Sequence, residues 1–135
     1  MRWPYRQNEK NKGTVEIEQL DGAVYVDHIA CLVECKDQTG NDIAPIYKLR
    51  GQLLRRPATT IGAIFTSGEY TEVTRLLSGF MFPQTILLWT PEEIETCLEH
   101  GRFSDGLLLK YQKAISHGTT DYNVSQIWND KEQRR

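Results

Sequence analysis

The stretch from Asp21 to Lys36, DGAVYVDHIACLVECK, constrains the fold more than any other part of this chain. Val24, Tyr25 and Val26 precede Asp27-His28, and Ile29, Cys31, Leu32 and Val33 follow it. β-branched and aromatic residues on either side of a polar pair spell two strands joined by a tight turn. A two-residue loop sets Val26 against Ile29, Tyr25 against Ala30, Ala23 against Leu32 and Asp21 against Glu34. A four-residue loop keeps that register; a three-residue loop breaks it.

The register brings two carboxylates side by side. Directly opposed residues have Cβ atoms ~4.5–5.5 Å apart, where like charges destabilise the pair. Positive charge has to sit with them. Lys36, two residues beyond Glu34, shares its face by the period of a strand. A divalent cation is the other candidate, and carboxylate oxygens suit Mg²⁺ or Mn²⁺. The plain alternative is a surface hairpin with charged ends.

An Asp, then Glu-x-Lys on the neighbouring strand, resembles the active site of the PD-(D/E)xK nuclease superfamily. The longer string EQLDGAVYVDHIACLVECKD is similar to Mrr-type restriction endonuclease domains within it, with Leu20 where a proline often stands. Glu34-Cys35-Lys36 is the only [DE]-x-K in the chain and closes an apolar strand. The likeness extends more loosely to about Leu98.

It implies an α/β, restriction-endonuclease-like domain with a central mixed β-sheet flanked by helices. It also implies a metal-dependent DNA endonuclease acting in restriction or defence. Asp21, Glu34 and Lys36 would be catalytic. Asp21, Glu34 and the Cys35 backbone carbonyl would hold Mg²⁺ or Mn²⁺, and Lys36 would orient the attacking water. Glu18 is an accessory candidate, although strand alternation turns it away from Asp21. A homodimer is the expected partner arrangement if both DNA strands are cut. Relatives generally carry a helix before the first strand, for which residues 1–12 leave little room. A catalytically silent DNA-binding or assembly module, or the nuclease fragment of a larger defence protein, is therefore the competing reading.

A net charge of −2 carries no overall basic footprint, yet the charge is unevenly placed. Lys48, Arg50, Arg55 and Arg56 cluster, while Glu92, Glu93, Glu95 and Glu99 gather elsewhere. The helix after Lys36 starts at a cap on Asn41 or Asp42 with Pro45 in its first turn. It buries Ile43, Ile46, Leu49 and Leu53 and turns a polar side outward. Lys48, Arg50, Gln52, Arg55 and Arg56 on that side are the expected phosphate contacts. In the resembled family this helix lies beside the active site, and Lys48 and Gln52 are the positions matching its polar residue.

Farther on, the pattern predicts a strand at Thr60–Thr66, a helix near Tyr70–Leu77 with Val73, Leu76 and Leu77 inward, and a strand at Thr85–Trp89. Thr90-Pro91-Glu92-Glu93 spells a capping box opening a helix with Ile94, Cys97 and Leu98 inward. Ser104 caps a last helix ending at Gly118. Residues 1–12 read as a flexible arm, 13–118 as the nuclease-like domain and 119–135 as a tail of disordered character in which Val124, Ile127 and Trp128 are able to dock. Cys31, Cys35 and Cys97 read as buried reduced thiols. No apolar run is long enough to span a membrane and no basic-then-apolar leader is present, so the expectation is a cytoplasmic protein without membrane contact.

Overall fold

The computed structural model describes residues 3–9, 13–36 and 43–126. Two strands come first, β1 (Trp3–Glu9) and β2 (Gly13–Leu20), paired antiparallel as a sheet of their own. Within the segment read from the sequence as a flexible arm, Trp3–Glu9 has a strand partner in β2. Glu18 stands opposite Tyr5 in that ladder, and its side chain lies outside the described ones.

The expected hairpin follows. β3 (Gly22–Val26) and β4 (Ile29–Lys36) pair antiparallel, with Val26 opposite Ile29, Tyr25 opposite Ala30 and Ala23 opposite Leu32. Asp27 takes a left-handed φ of 52° in the turn, a conformation Asp tolerates better than most residues. Helix α1 (Ala44–Leu54) then crosses to β5 (Ile61–Thr66), α2 (Glu72–Gly79) crosses to β6 (Ile86–Trp89), and α3 (Pro91–Glu99) and α4 (Phe103–His117) follow. The second sheet runs β3-β4-β5-β6, antiparallel at β3/β4 and parallel thereafter. It is a mixed sheet in an α/β fold, with β4 internal as its two-faced apolar sequence predicts.

Each face of this sheet has its own core. Leu32, Ile64, Ile86 and Leu88 pack with Ile46, Leu49 and Leu53 of α1. Cys31, Ala63, Leu87 and Trp89 pack with Cys97, Leu107 and Ala114 of α3 and α4. Gly62 lets α1 approach: a Cβ there would lie 2.7 Å from Leu49 Cδ2. Ile43 is the N-cap of α1 without a side-chain cap bond and is exposed, while Asn41 and Asp42 lie outside the described residues.

Two helix faces and one helix start differ from the expectation. On α2, Val73 and Leu76 are 64% and 58% exposed, and Thr74 and Ser78 are buried instead. Thr71, rather than Ser67, caps this helix, its Oγ1 accepting from the Thr74 N–H at 3.2 Å. The buried polar groups have partners. Thr74 Oγ1 meets Thr71 Oγ1 at 2.9 Å, and Ser78 Oγ donates to the Arg75 carbonyl at 2.7 Å and meets Thr120 Oγ1 at 2.6 Å. Leu98 of α3 is exposed although Cys97 is buried. α4 begins one residue before Ser104, with Arg102 as N-cap and no side-chain cap bond.

Residues 119–126, the described part of the segment read as a tail, pack back against the sheet, while Ile127 and Trp128 lie outside the described residues. The Leu88 N–H donates to the Thr120 carbonyl at 2.9 Å, extending the bonding beyond β6, and Val124 is fully buried. A dry ion pair holds this segment. Lys110 and Glu93, with side chains 0% and 1% exposed, meet at 2.8 Å. Lys110 Nζ also donates to the Leu88 and Tyr122 carbonyls at 2.7 Å each. Glu93 Oε2 accepts from the Val124 N–H at 3.0 Å, and Oε1 accepts from the Thr90 N–H at 3.1 Å. The sequence exposes Glu93 as half of a capping box, which is present, but not as the partner of a buried lysine. Burial pulls the Lys110 ammonium below the usual lysine range, and the Glu93 carboxylate opposes that fall.

Candidate functional site

Parallel strands deliver their carboxyl ends to one edge, where α/β folds commonly build sites. Here that edge carries Glu34, Cys35 and Lys36 at the end of β4, beside Ile64, Phe65 and Thr66 of β5. Ala23 and Leu32, opposite each other, both belong to the core beneath α1. Side chains alternate along a strand. Asp21, two residues before Ala23, and Glu34, two after Leu32, therefore fall on that same face, as does Lys36. The last recorded pair is Gly22 with Val33, so one further step of the register sets Asp21 against Glu34.

Asp21 is fastened to the neighbouring strand: its Oδ2 accepts from the Cys35 N–H at 2.9 Å. Glu34 is only 4% exposed. The positive charge that the register calls for comes from α1. Lys48 Nζ lies 3.1 Å from Glu34 Oε1 and 3.3 Å from Oε2. Burial pushes the Glu34 carboxyl above the usual glutamate range; the Lys48 hydrogen bond pulls it back, and the Asp21 charge adds to the rise.

The other expected contacts separate. Gln52 is 3% exposed, so its side chain is packed inside rather than offered to solvent. Its carbonyl accepts from Arg56 Nη1 at 2.8 Å. Lys48 and Arg55 are exposed, whereas Arg50 is half-buried, its Nε without a hydrogen-bond partner among the described residues. Cys35 corrects the buried-thiol expectation: Cys31 and Cys97 are buried, Cys35 is exposed, and all three are free. Its main-chain N–H, which anchors Asp21, was the part of the residue that sequence inspection passed over. Nothing local signals that bond, because it depends on the register of the hairpin.

Mg²⁺ or Mn²⁺ fits the donor set at the level of chemistry: two carboxylates from neighbouring strands on one face, with main-chain oxygens nearby. Among the described residues, no group of three or more His, Cys, Asp and Glu side chains is placed to hold a metal. A site here would thus be completed by main-chain oxygen and water. Among the described residues, no helix is long and apolar enough to cross a membrane. No family model, curated protein or solved structure matches this chain.

Proposed function

We propose that this protein is a metal-dependent DNA endonuclease with a restriction-endonuclease-like core, acting in restriction or defence. One observation carries the reading: the Asp21 carboxylate is hydrogen-bonded at the base of Glu34-x-Lys36, with Glu34 on the same sheet face and a lysine ammonium already beside it. The elements from β3 to β5 also support it, since hairpin, helix and parallel strand are the order that the resemblance implies.

In this reading Asp21, Glu34 and the Cys35 carbonyl would hold Mg²⁺ or Mn²⁺. The ion, when bound, supplies a water of lowered pKa and positive charge against the phosphate. Lys36 orients that water and sets positive charge on the attacking side. Lys48 positions Glu34, and its half-exposed side chain leaves it in reach of a phosphate oxygen. The exposed Arg55 extends the cationic surface along α1, where backbone contacts hold DNA without reading its sequence. Cutting both strands of a duplex takes two such sites, hence a dimer.

The same Lys48 contact favours a second reading. An ammonium bonded to both Glu34 oxygens stands where a cation would be, as in a DNA-binding module that does not hydrolyse. Nicking of supercoiled plasmid in Mg²⁺ decides between them. The endonuclease nicks plasmid, loses activity in EDTA, and loses it in Asp21→Asn, Glu34→Gln and Lys36→Met. Equal nicking by wild type and all three variants refutes the assigned residues. Binding without nicking leaves the silent module.

A further inference from the structure

The end of β4 separates two chemically different surfaces. On the α1 side are Lys36, Lys48 and Arg55. On the α3 side lies a groove of about 520 Å³, within the size range of small-ligand sites. Its wall is mainly apolar, from Cys35, Phe65, Ile94 and Leu98, with the exposed Glu95 among its lining residues. Phe65 is held from behind, edge-on to Trp89 at 5.7 Å and to Phe103 at 5.8 Å. Leu98 is 68% exposed, a large apolar side chain left toward solvent. Cys35 and Lys36 also border the groove, so it begins at the residues assigned to catalysis.

Away from the Lys36 border, a phosphate would be repelled by Glu95 and gains nothing from the apolar wall. A nucleobase suits both features. Its flat face packs on apolar and aromatic side chains, and a carboxylate accepts from the exocyclic amine of cytosine or adenine. The backbone of the same nucleotide would stay on the cationic α1 side. Such a base has to be out of the helical stack, which is least costly where it is already unpaired.

We propose that this groove takes an unpaired, amine-bearing nucleobase next to the scissile phosphate, so that the preferred substrate is DNA with a bulged, mismatched or single-stranded nucleotide at the cut. This rests on the endonuclease reading for the position of the phosphate, but its test does not depend on hydrolysis.

The experiment measures anisotropy of fluorescein-labelled duplexes with the full chain in EDTA: fully paired, with one bulged cytosine, and with one bulged thymine. The bulged-cytosine duplex is expected to bind about tenfold more tightly than the paired one, a difference that a single stacked base can supply. Leu98→Asn, at an exposed position outside the catalytic set, should remove that preference while leaving paired-duplex affinity unchanged. Glu95→Gln should narrow the gap between cytosine and thymine. Equal binding of all three duplexes, or a preference that survives Leu98→Asn, overturns the proposal. The same duplexes in Mg²⁺ separate the two readings. Indiscriminate cutting abolished by Asp21→Asn keeps the nuclease and refutes the base groove. A bulge preference without cutting keeps the groove and refutes the nuclease.

Discussion

Lys110→Met isolates the contact that ties the C-terminal segment to the sheet. The substitution keeps an unbranched side chain but removes one ion pair and two hydrogen bonds to carbonyls, of Leu88 and Tyr122. Glu93 would be left in the dry core, with N–H donors from Thr90 and Val124 only partly replacing the ammonium. Removing one partner of a buried pair costs ~3–5 kcal/mol, because the other charge is stranded. A domain has only about 5–15 kcal/mol in total, so from about a fifth to the whole of the stability is at stake. At roughly 3–4 °C per kcal/mol for a chain of this length, Tm should fall by roughly 10–20 °C.

Urea unfolding followed by circular dichroism gives the free energy, and calorimetry gives Tm. Glu93→Gln/Lys110→Met removes both charges together and should be more stable than the sum of the single losses predicts, by about 1–3 kcal/mol. A loss below ~1 kcal/mol in Lys110→Met, the range of solvent-exposed pairs, would refute the reasoning. So would strict additivity in the double variant.

Gly62→Ala should destabilise by about 1–3 kcal/mol, since the new Cβ meets Leu49 Cδ2 at 2.7 Å and Cγ at 2.9 Å; unchanged urea unfolding would show that α1 yields freely. Thr90→Ala removes the acceptor of the Glu93 N–H at 3.3 Å and should cost about 1 kcal/mol in the same assay. Thiol labelling of the native protein should modify Cys35 while Cys31 and Cys97 react only after unfolding, as mass mapping of the labelled peptides would show. Burial pushes the Cys31 thiol from 9.0 up to about 12 and the Cys97 thiol from 9.0 up to about 11. Above pH 9 the unfolded chain loses those protons first, so stability should fall as pH rises from 9 toward 12, less steeply in Cys31→Ala.

The local grammar of this chain is written in its sequence. Asp27-His28 fixes a two-residue turn, and that turn fixes the register that aligns Asp21 with Glu34, because a strand's period of two leaves no other choice once one face is buried. Thr90, Pro91 and Glu93 fix the start of α3 through bonds no longer than one turn. The apolar run of β4 likewise announces a strand covered on both sides.

What the sequence could not decide are the pairings across distance. Val73 and Leu76 have inward spacing, yet Thr74 and Ser78 face the core, because Thr71 sets the helix start and Thr120 supplies Ser78 with a partner 42 residues away. Lys48 reads as a phosphate contact until α1, brought close over Gly62, sets its ammonium on Glu34. Lys110 is buried because Leu88 of β6, Glu93 of α3 and Tyr122 of the returning chain bring three acceptors to its ammonium. A charge can be buried only where its partners converge, and convergence of distant segments is a property of the packed fold rather than of any window of residues.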